Sequence, residues 1–371
     1  MNRKERRAMR VQGRAVGVDS AQAHPSAMST LGQLFGQAVW HQHHGKPNEA
    51  AKLYKQVLVL QPDHAEACNN LACLLLAQGK RDAASRYFER ALILLPQLFD
   101  DFDSVVEMLV AVNPRLGEGM KRAASAWPRP LPTRELSGSS FAATYADALL
   151  RHVLESTIIR NVDLERLLTS LRAQFLRFTA DGGAIRTLDD NAVAFCCALA
   201  KQCFINEYVF AVTPEEAEHA ERLRQKLVEA LAQDSTISVI WPCVVAMYFP
   251  LHLLPNAQAL LDRAWPPALT EVVTQQVREP WEERQYRDLI PRLTAIEDGV
   301  SVQVREQYEE NPYPRWVHAA SVAEPTTIDE HLRHQFPSAP FHPLGNGTDI
   351  AILVAGCGTG RHSIELARKY R

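Results

Sequence analysis

The chain has 371 residues, 22% of them charged and 46% hydrophobic, an ordinary globular composition with length enough for two or three domains. Forty basic against 43 acidic side chains leave a formal net charge of -3, so no global field draws it to nucleic acid or to an anionic membrane surface. Its seven cysteines (Cys68, Cys73, Cys196, Cys197, Cys203, Cys243, Cys357) are odd in number and include no C-x-x-C pair, which fits neither a disulfide framework nor a zinc ribbon and agrees with a reducing cytoplasm.

Residues 1–30 open with MNRKERRAMR, a basic run that leads into polar sequence without an apolar segment, and are predicted to be a disordered tail rather than a secretory signal. Residues 31–62 and 65–96 then superimpose at an offset of 34. Each unit carries an apolar or small pair and a glycine (Leu34, Ala38, Gly45; Cys68, Ala72, Gly79), followed by an alanine, an aromatic and a proline (Ala50, Tyr54, Pro62; Ala84, Phe88, Pro96). Two antiparallel helices approach closely where Ala38 meets Ala50 and Ala72 meets Ala84, the aromatics fill the gap, and the glycines make the turn. A third unit keeps the length, but Asn113 and Pro114 stand where the glycine turn is expected, so residues 99–126 are predicted to be a degenerate unit that caps the stack.

This pattern resembles the tetratricopeptide repeat, with units at 31–64, 65–98 and a degenerate 99–126. The resemblance implies a concave groove for a protein or peptide partner. Packing of the array against the rest of its own chain is the other reading, and fold alone does not choose between them. His41, His43 and His44 lack a neighbouring cysteine or carboxylate to complete a metal site and are read as a solvated face.

WPRPLP (127–132) and the Ser/Gly patch at 137–140 mark a linker over 127–140. Residues 141–300 then read as an all-α domain. Leu164, Leu167, Leu168, Leu171 and Phe175 recur at helical spacing behind Asp163 as the expected cap, and residues 191–210 form a second helical run. Thr213, Pro214 and Glu216 make a capping box that opens a third helix. The most apolar stretch, 239–255, is interrupted by Pro242, Pro250 and His252 and falls short of the roughly 20 residues of a membrane span. Prolines over 241–291 leave room only for short helices. QCFINEYVF (202–210) resembles the corresponding segment of bacterial proteins that join tetratricopeptide repeats to a methyltransferase.

The connector, 301–344, contains REQYEENPYPRW (305–316), with Tyr308, Tyr313 and Trp316, which resembles the segment preceding the methyltransferase domain in the same bacterial family. Its NPYP (311–314) inverts the proline and tyrosine of the N-P-P-Y loop with which amino-methyltransferases hold a target nitrogen, so a hinge or a lid is read there instead. Thr327 and Glu330 cap a short helix carrying His331 and His334, for which no further metal ligands are found.

Residues 345–371 hold DIAILVA (349–355), GCGTG and RHSIELARKY: a strand, a glycine loop and a helix. A dinucleotide fingerprint would need glycine at 361, where Arg361 stands. G-x-G-x-G after an apolar strand resembles the first motif of class I S-adenosylmethionine-dependent methyltransferases. That resemblance implies S-adenosylmethionine as cofactor, contacted by Gly356, Cys357, Gly358 and Gly360. It departs from the family at Val354, where an acidic residue is common. No catalytic base or metal site is assigned.

The expected fold is therefore mainly α: repeat hairpins and an all-α middle domain, ending in the first strand, loop and helix of a Rossmann-like methyltransferase domain. The ribose-binding acid of such a domain is expected beyond Arg371, so this chain alone is expected to be incomplete and inactive as an enzyme. A repeat-based interaction protein without activity is the alternative, and the methyl acceptor is left open.

Overall fold

The computed structural model describes residues 30–96, 102–131, 135, 139–180, 189–289, 297–310, 315–317, 325–344, 350–354 and 358–370. Nearly all of the expected N-terminal tail, NPYP at 311–314, and Gly356 and Cys357 lie outside them. The described chain is helical almost throughout, and among the described residues no helix is long and apolar enough to cross a membrane.

Three hairpins open the fold. Helices α1 (Thr30–His43) and α2 (Pro47–Leu60) turn at Gly45, and α3 (Ala65–Ala77) and α4 (Arg81–Leu94) turn at Gly79. Both glycines are left-handed, φ 71° and 75°, a conformation that a Cβ disfavours. Ala38, Ala50, Ala72 and Ala84 are fully buried where the paired helices meet, as the offset in the sequence requires. Tyr54 adds a polar thread: its hydroxyl donates to Gln42 Oε1 (2.8 Å) and accepts from Asn70 Nδ2 (3.1 Å), tying α1, α2 and α3 together. Burial pushes that phenol up to about 12, against the opposing effect of the Asn70 bond.

The third hairpin joins α5 (Phe102–Val112) to α6 (Pro114–Ala126) across Asn113, with Pro114 in the first helical turn, where a missing N–H costs nothing. The asparagine that replaces the turn glycine has a bond of its own to make. Its Nδ2 donates to Asp147 Oδ2 at 2.8 Å, while Asp147 Oδ1 accepts from Leu150 N and caps α8 (Ala148–Ser156). The array is thereby pinned to the start of α8.

Beyond α7 (Ser139–Tyr145), α8 packs on α4, and α9 (Val162–Ala180) packs on α6, where Gly119 lets Leu167 approach closely. The repeat array thus packs against its own chain at this end. A continuous buried cluster runs from Ala38 to Val277 through α10 (Asp190–Ile205), α11 (Pro214–Ala232), α12 (Ile240–Val245) and α13 (Pro267–Val273). A π turn, Thr274–Arg278, links α13 to α14 (Glu279–Leu289), and α15 (Gly299–Glu310) comes next in the chain.

Four local expectations are settled by hydrogen bonding. The capping box of α11 forms as expected, with Thr213 Oγ1 accepting from Glu216 N (3.1 Å). The cap of α9 is Asn161, whose Oδ1 accepts from Leu164 N (3.0 Å); Asp163 lies inside the first turn and pairs with Arg166 instead. α10 does not run to residue 210: it stops at Ile205 because Glu207 and Tyr208 are both left-handed (φ 57°), with Tyr208 N bonded back to Cys203 O (2.8 Å). Residues 350–354, expected as a strand, pair with no other strand among the described residues and leave Leu353 90% exposed.

The centre of the α-helical body is a charge. Arg172 on α9 is 1% exposed, and its Nε and Nη2 donate to Glu216 Oε1 at 3.1 and 2.9 Å. Nη2 also reaches Ala211 O (2.6 Å), the guanidinium stacks on Tyr248 (4.6 Å), and the Tyr248 hydroxyl donates to the same Glu216 oxygen (2.5 Å). Removing one partner of such a pair strands the other charge in the interior. Arg172→Ala is expected to cost about 3–5 kcal/mol in urea unfolding, whereas Arg172→Met combined with Glu216→Gln recovers a large part of that loss. Equal stabilities for the single and double variants would show that the stranded charge is not what destabilises the protein.

Candidate functional site

Gly358 (φ 55°) and Gly360 (φ 82°) are left-handed, and a Cβ on either would meet nothing within 4 Å. Glycine is required there by backbone conformation, not by space. Gly360 is the residue before α17 (Arg361–Lys369), and Ile364 N bonds to Gly360 O (3.1 Å), so the N-terminal end of α17 lies beside the loop. Arg361 Nε pairs with Glu365 (2.8 Å) one turn along. Gly356 and Cys357, the other two expected cofactor contacts, lie outside the described residues.

The far end of α17 meets the connector. Thr326 N donates to Lys369 O (3.0 Å), Thr326 and Tyr370 form a parallel bridge, and α16 (Ile328–Gln335) starts at the expected Thr327–Glu330 capping box. His331, singled out in the sequence, packs edge-on against Tyr370 (5.5 Å) and lies 3.2 Å from Lys369 Nζ.

Three segments marked by sequence resemblance converge through two residues. Trp316 Nε1 donates to Thr359 O, between the two left-handed glycines, at 3.0 Å. Arg315 pairs with Glu207 through Nε and Oε1, and its guanidinium lies 4.4 Å over the Phe204 ring. Sequence reasoning located these segments without their contacts, because a salt bridge across 108 residues leaves no periodic trace.

The turn after α10 is costly to build. Two consecutive left-handed residues other than glycine cost roughly 1–3 kcal/mol each. Asn206 is 1% exposed, and neither atom of its amide has a partner. One buried glutamine holds the turn, and a second ties α10 to the chain at the end of α8. Gln276, in the π turn and fully buried, accepts from Tyr208 Oη and Leu251 N (both 3.4 Å) and donates to Ala200 O and Ala246 O. Gln202, also fully buried, donates to Leu154 O and Thr157 O and accepts from Ile159 N.

The repeats offer a second surface. On α3 every residue from Ala65 to Leu75 is buried except Glu66, Asn69 and Cys73, and Leu76 continues that half-buried stripe at helical spacing. The equivalents on α1, Gly32, Phe35, Val39 and Gln42, are half-buried too. The stripe is largely apolar, and Phe35 stacks on His64 at 4.6 Å.

No group of three or more His, Cys, Asp or Glu residues that could hold a metal occurs among the described residues. His44 stacks on Trp40 at 4.0 Å rather than facing a shared centre. The cysteines of the middle body are core residues. Burial pushes the Cys196 thiol up and Cys203 up to about 12, and Cys243, 3.5 Å from Cys197 between sulfurs, helps burial push Cys197 up. None is poised as a thiolate nucleophile.

Residues 42–109 match the tetratricopeptide repeat family. The chain therefore carries a tetratricopeptide-repeat module, and repeats of this kind generally mediate protein–protein binding. Neither the curated proteins nor the solved structures yield a match to this chain.

His252 gives the region around Phe204 a pH signature. Its ring stands edge-on to Phe204 (6.4 Å), its Nδ1 is buried without a partner, and burial, with Arg284 and Arg315 nearby, lowers it from 6.5 to about 4. Between those values the unfolded chain takes up a proton that the folded chain refuses, so stability falls as pH drops from 6.5 towards 4. Urea midpoints measured across that window are expected to flatten in His252→Gln, and an unchanged slope would remove His252 as the cause.

Proposed function

We propose that the chain is a partner-binding repeat module coupled to an S-adenosylmethionine-dependent methyltransferase segment. The repeats recruit a protein or peptide in the groove, and the glycine loop takes the amino-acid end of the cofactor. The first half is carried by the accessible stripe on α3, the one side of a central repeat helix left open by its neighbours. An extended segment crossing Phe35, Val39, Cys73 and Leu76 would bury apolar surface there, and the Asn69 amide can bond its backbone.

The second half is supported by the ILVAGCGTG run together with the left-handed Gly358 and Gly360 at the start of α17. A helix N-terminus behind a glycine turn suits an anionic group such as the cofactor carboxylate. Methyl transfer from a sulfonium needs little from the protein beyond alignment of the acceptor lone pair with the methyl group and exclusion of water. The acceptor and any base are left unassigned, and a repeat module without enzymatic activity is the competing reading, favoured by residues 350–354, which pair with no other strand among the described residues.

Two experiments separate these readings. Leu76→Glu with Asn69→Ala, both on the accessible stripe, is expected to lower capture of an identified partner at least tenfold while leaving the circular dichroism spectrum unchanged; undiminished capture would move the partner site off the groove. S-adenosylmethionine titrated into the 371-residue chain is expected to bind with a dissociation constant of about a millimolar and to slow amide exchange in 358–370, and Gly360→Val is expected to abolish both effects. No protection at any concentration, in this chain or in one extended through a full catalytic domain, would leave the interaction module as the function, and micromolar binding by the 371-residue chain would mean that the cofactor sits elsewhere.

A further inference from the structure

The helix that follows the glycine loop, α17, contains no buried residue. The turn after α10 lies at the opposite extreme, strained in its backbone and bonded on several sides. Arg315 and Trp316, adjacent in sequence, touch one each. We propose that this dipeptide is a two-sided clip, with Glu207 a positioning residue for the glycine loop, so that cofactor occupancy of the loop and the conformation of the 206–208 turn are coupled. The clip itself stands on geometry; its cofactor half rests on the function proposed above.

The turn side is well made. Phe204, 4% exposed, gives Arg315 a flat apolar seat, and the left-handed backbone at Glu207 brings its carboxylate to the guanidinium. The two side chains are only 19% and 20% exposed, so the pair is shielded from water and salt. Behind it, Tyr208 is tied to Cys203 and Gln276, and Arg172 holds the carbonyl of Ala211. Arg315 therefore grips a fixed point.

The loop side follows from the planarity of the peptide. Trp316 holds the carbonyl of Thr359, and in a trans peptide the next N–H points the opposite way. Fixing Thr359 O on the indole thus aims the Gly360 N–H away from the indole. That peptide lies between two left-handed glycines, which have no Cβ to resist a flip of the plane. Adjacent Cα atoms in the clip are about 3.8 Å apart, so a shift of Arg315 on its seat is passed directly to Trp316.

Amide hydrogen exchange of the full chain tests this without cofactor and then with it. Trp316→Phe keeps an aromatic ring but removes the indole N–H together with its five-membered ring; it is expected to speed exchange in 358–370 about fivefold, the worth of one hydrogen bond. Arg315→Ala and Glu207→Gln touch no atom of the loop, yet both are expected to do the same, while protection in α10 persists and Arg315→Lys restores most of it. If Arg315→Ala and Glu207→Gln leave 358–370 at the wild-type rate, there is no clip. With S-adenosylmethionine at saturation, wild-type protection is expected to spread from 358–370 to 204–210 and to be confined to 358–370 in Arg315→Ala. Confinement in the wild type would overturn the coupling. A clip confirmed without cofactor in a chain that the cofactor does not protect would overturn the cofactor half and leave the clip standing.

Discussion

A guanidinium that is 1% exposed remains charged only if acceptors replace the water it has lost, and Arg172 draws them from three directions. Glu216 comes from the first turn of α11, the Ala211 carbonyl from the segment just before it, and the Tyr248 ring, whose hydroxyl donates to Glu216, from the stretch after α12. One charge on α9 thus fixes where three later pieces of chain must pass. Glu216 serves twice, as Arg172's partner and as the reciprocal member of the α11 capping box, so the start of that helix and the buried charge are built as one unit. The turn at Glu207 and Tyr208 lies immediately upstream of this node, and its strain is tolerable because both of its ends are tied down.

The repeat array is governed by a different constraint, the need for small residues where helices cross. Fully buried alanines at 38, 50, 72 and 84 set the helix spacing, and the pattern recurs because the same crossing recurs. The third unit shows what happens when the array ends. Its outer face meets α9 instead of a fourth hairpin, so the glycine turn is exchanged for Asn113, which caps nothing in its own hairpin but binds the Asp147 that caps α8. The loss of the repeat signature there marks a joint, and the joint is why a single core runs from the repeats into the middle body.

Legibility in the sequence tracks how local the physics is. The hairpins, the capping boxes at Thr213 and Thr327, and the short helices between prolines depend on spacings of a few residues, and all are readable. The end of α10 is not, because a left-handed turn is signalled by glycine or asparagine and here falls on Glu207 and Tyr208. Asp163 passes for the α9 cap because Asn161, two residues earlier, offers the same kind of side-chain oxygen one position ahead of the helix. Arg172 gives no signal at all: an arginine among leucines at helical spacing looks like a solvent-facing position until its partner, 44 residues away, is seen. At the candidate site, the glycines announce themselves by motif, whereas Glu207, Arg315 and Trp316 are present only as members of segments whose meeting no spacing encodes.

The two candidate surfaces, the α3 stripe and the glycine loop, are anchored unequally, and that inequality has a direction. The α3 stripe belongs to helices whose other faces are sunk in a close-packed core, where a displacement of even a methylene is resisted by neighbours on every side. A partner seated on that stripe is consequently held in fixed register with α8, α9 and α10. The segment 358–370 instead meets the body through individual polar contacts, among them Trp316 to Thr359 and Thr326 to Lys369. Individual hydrogen bonds of about 1 kcal/mol each exchange far more readily than packed faces do. Under the proposed function, a motion that relates recruitment to chemistry would be one of the loop and connector relative to the repeat body, with the Arg315 seat on Phe204 as the point of contact.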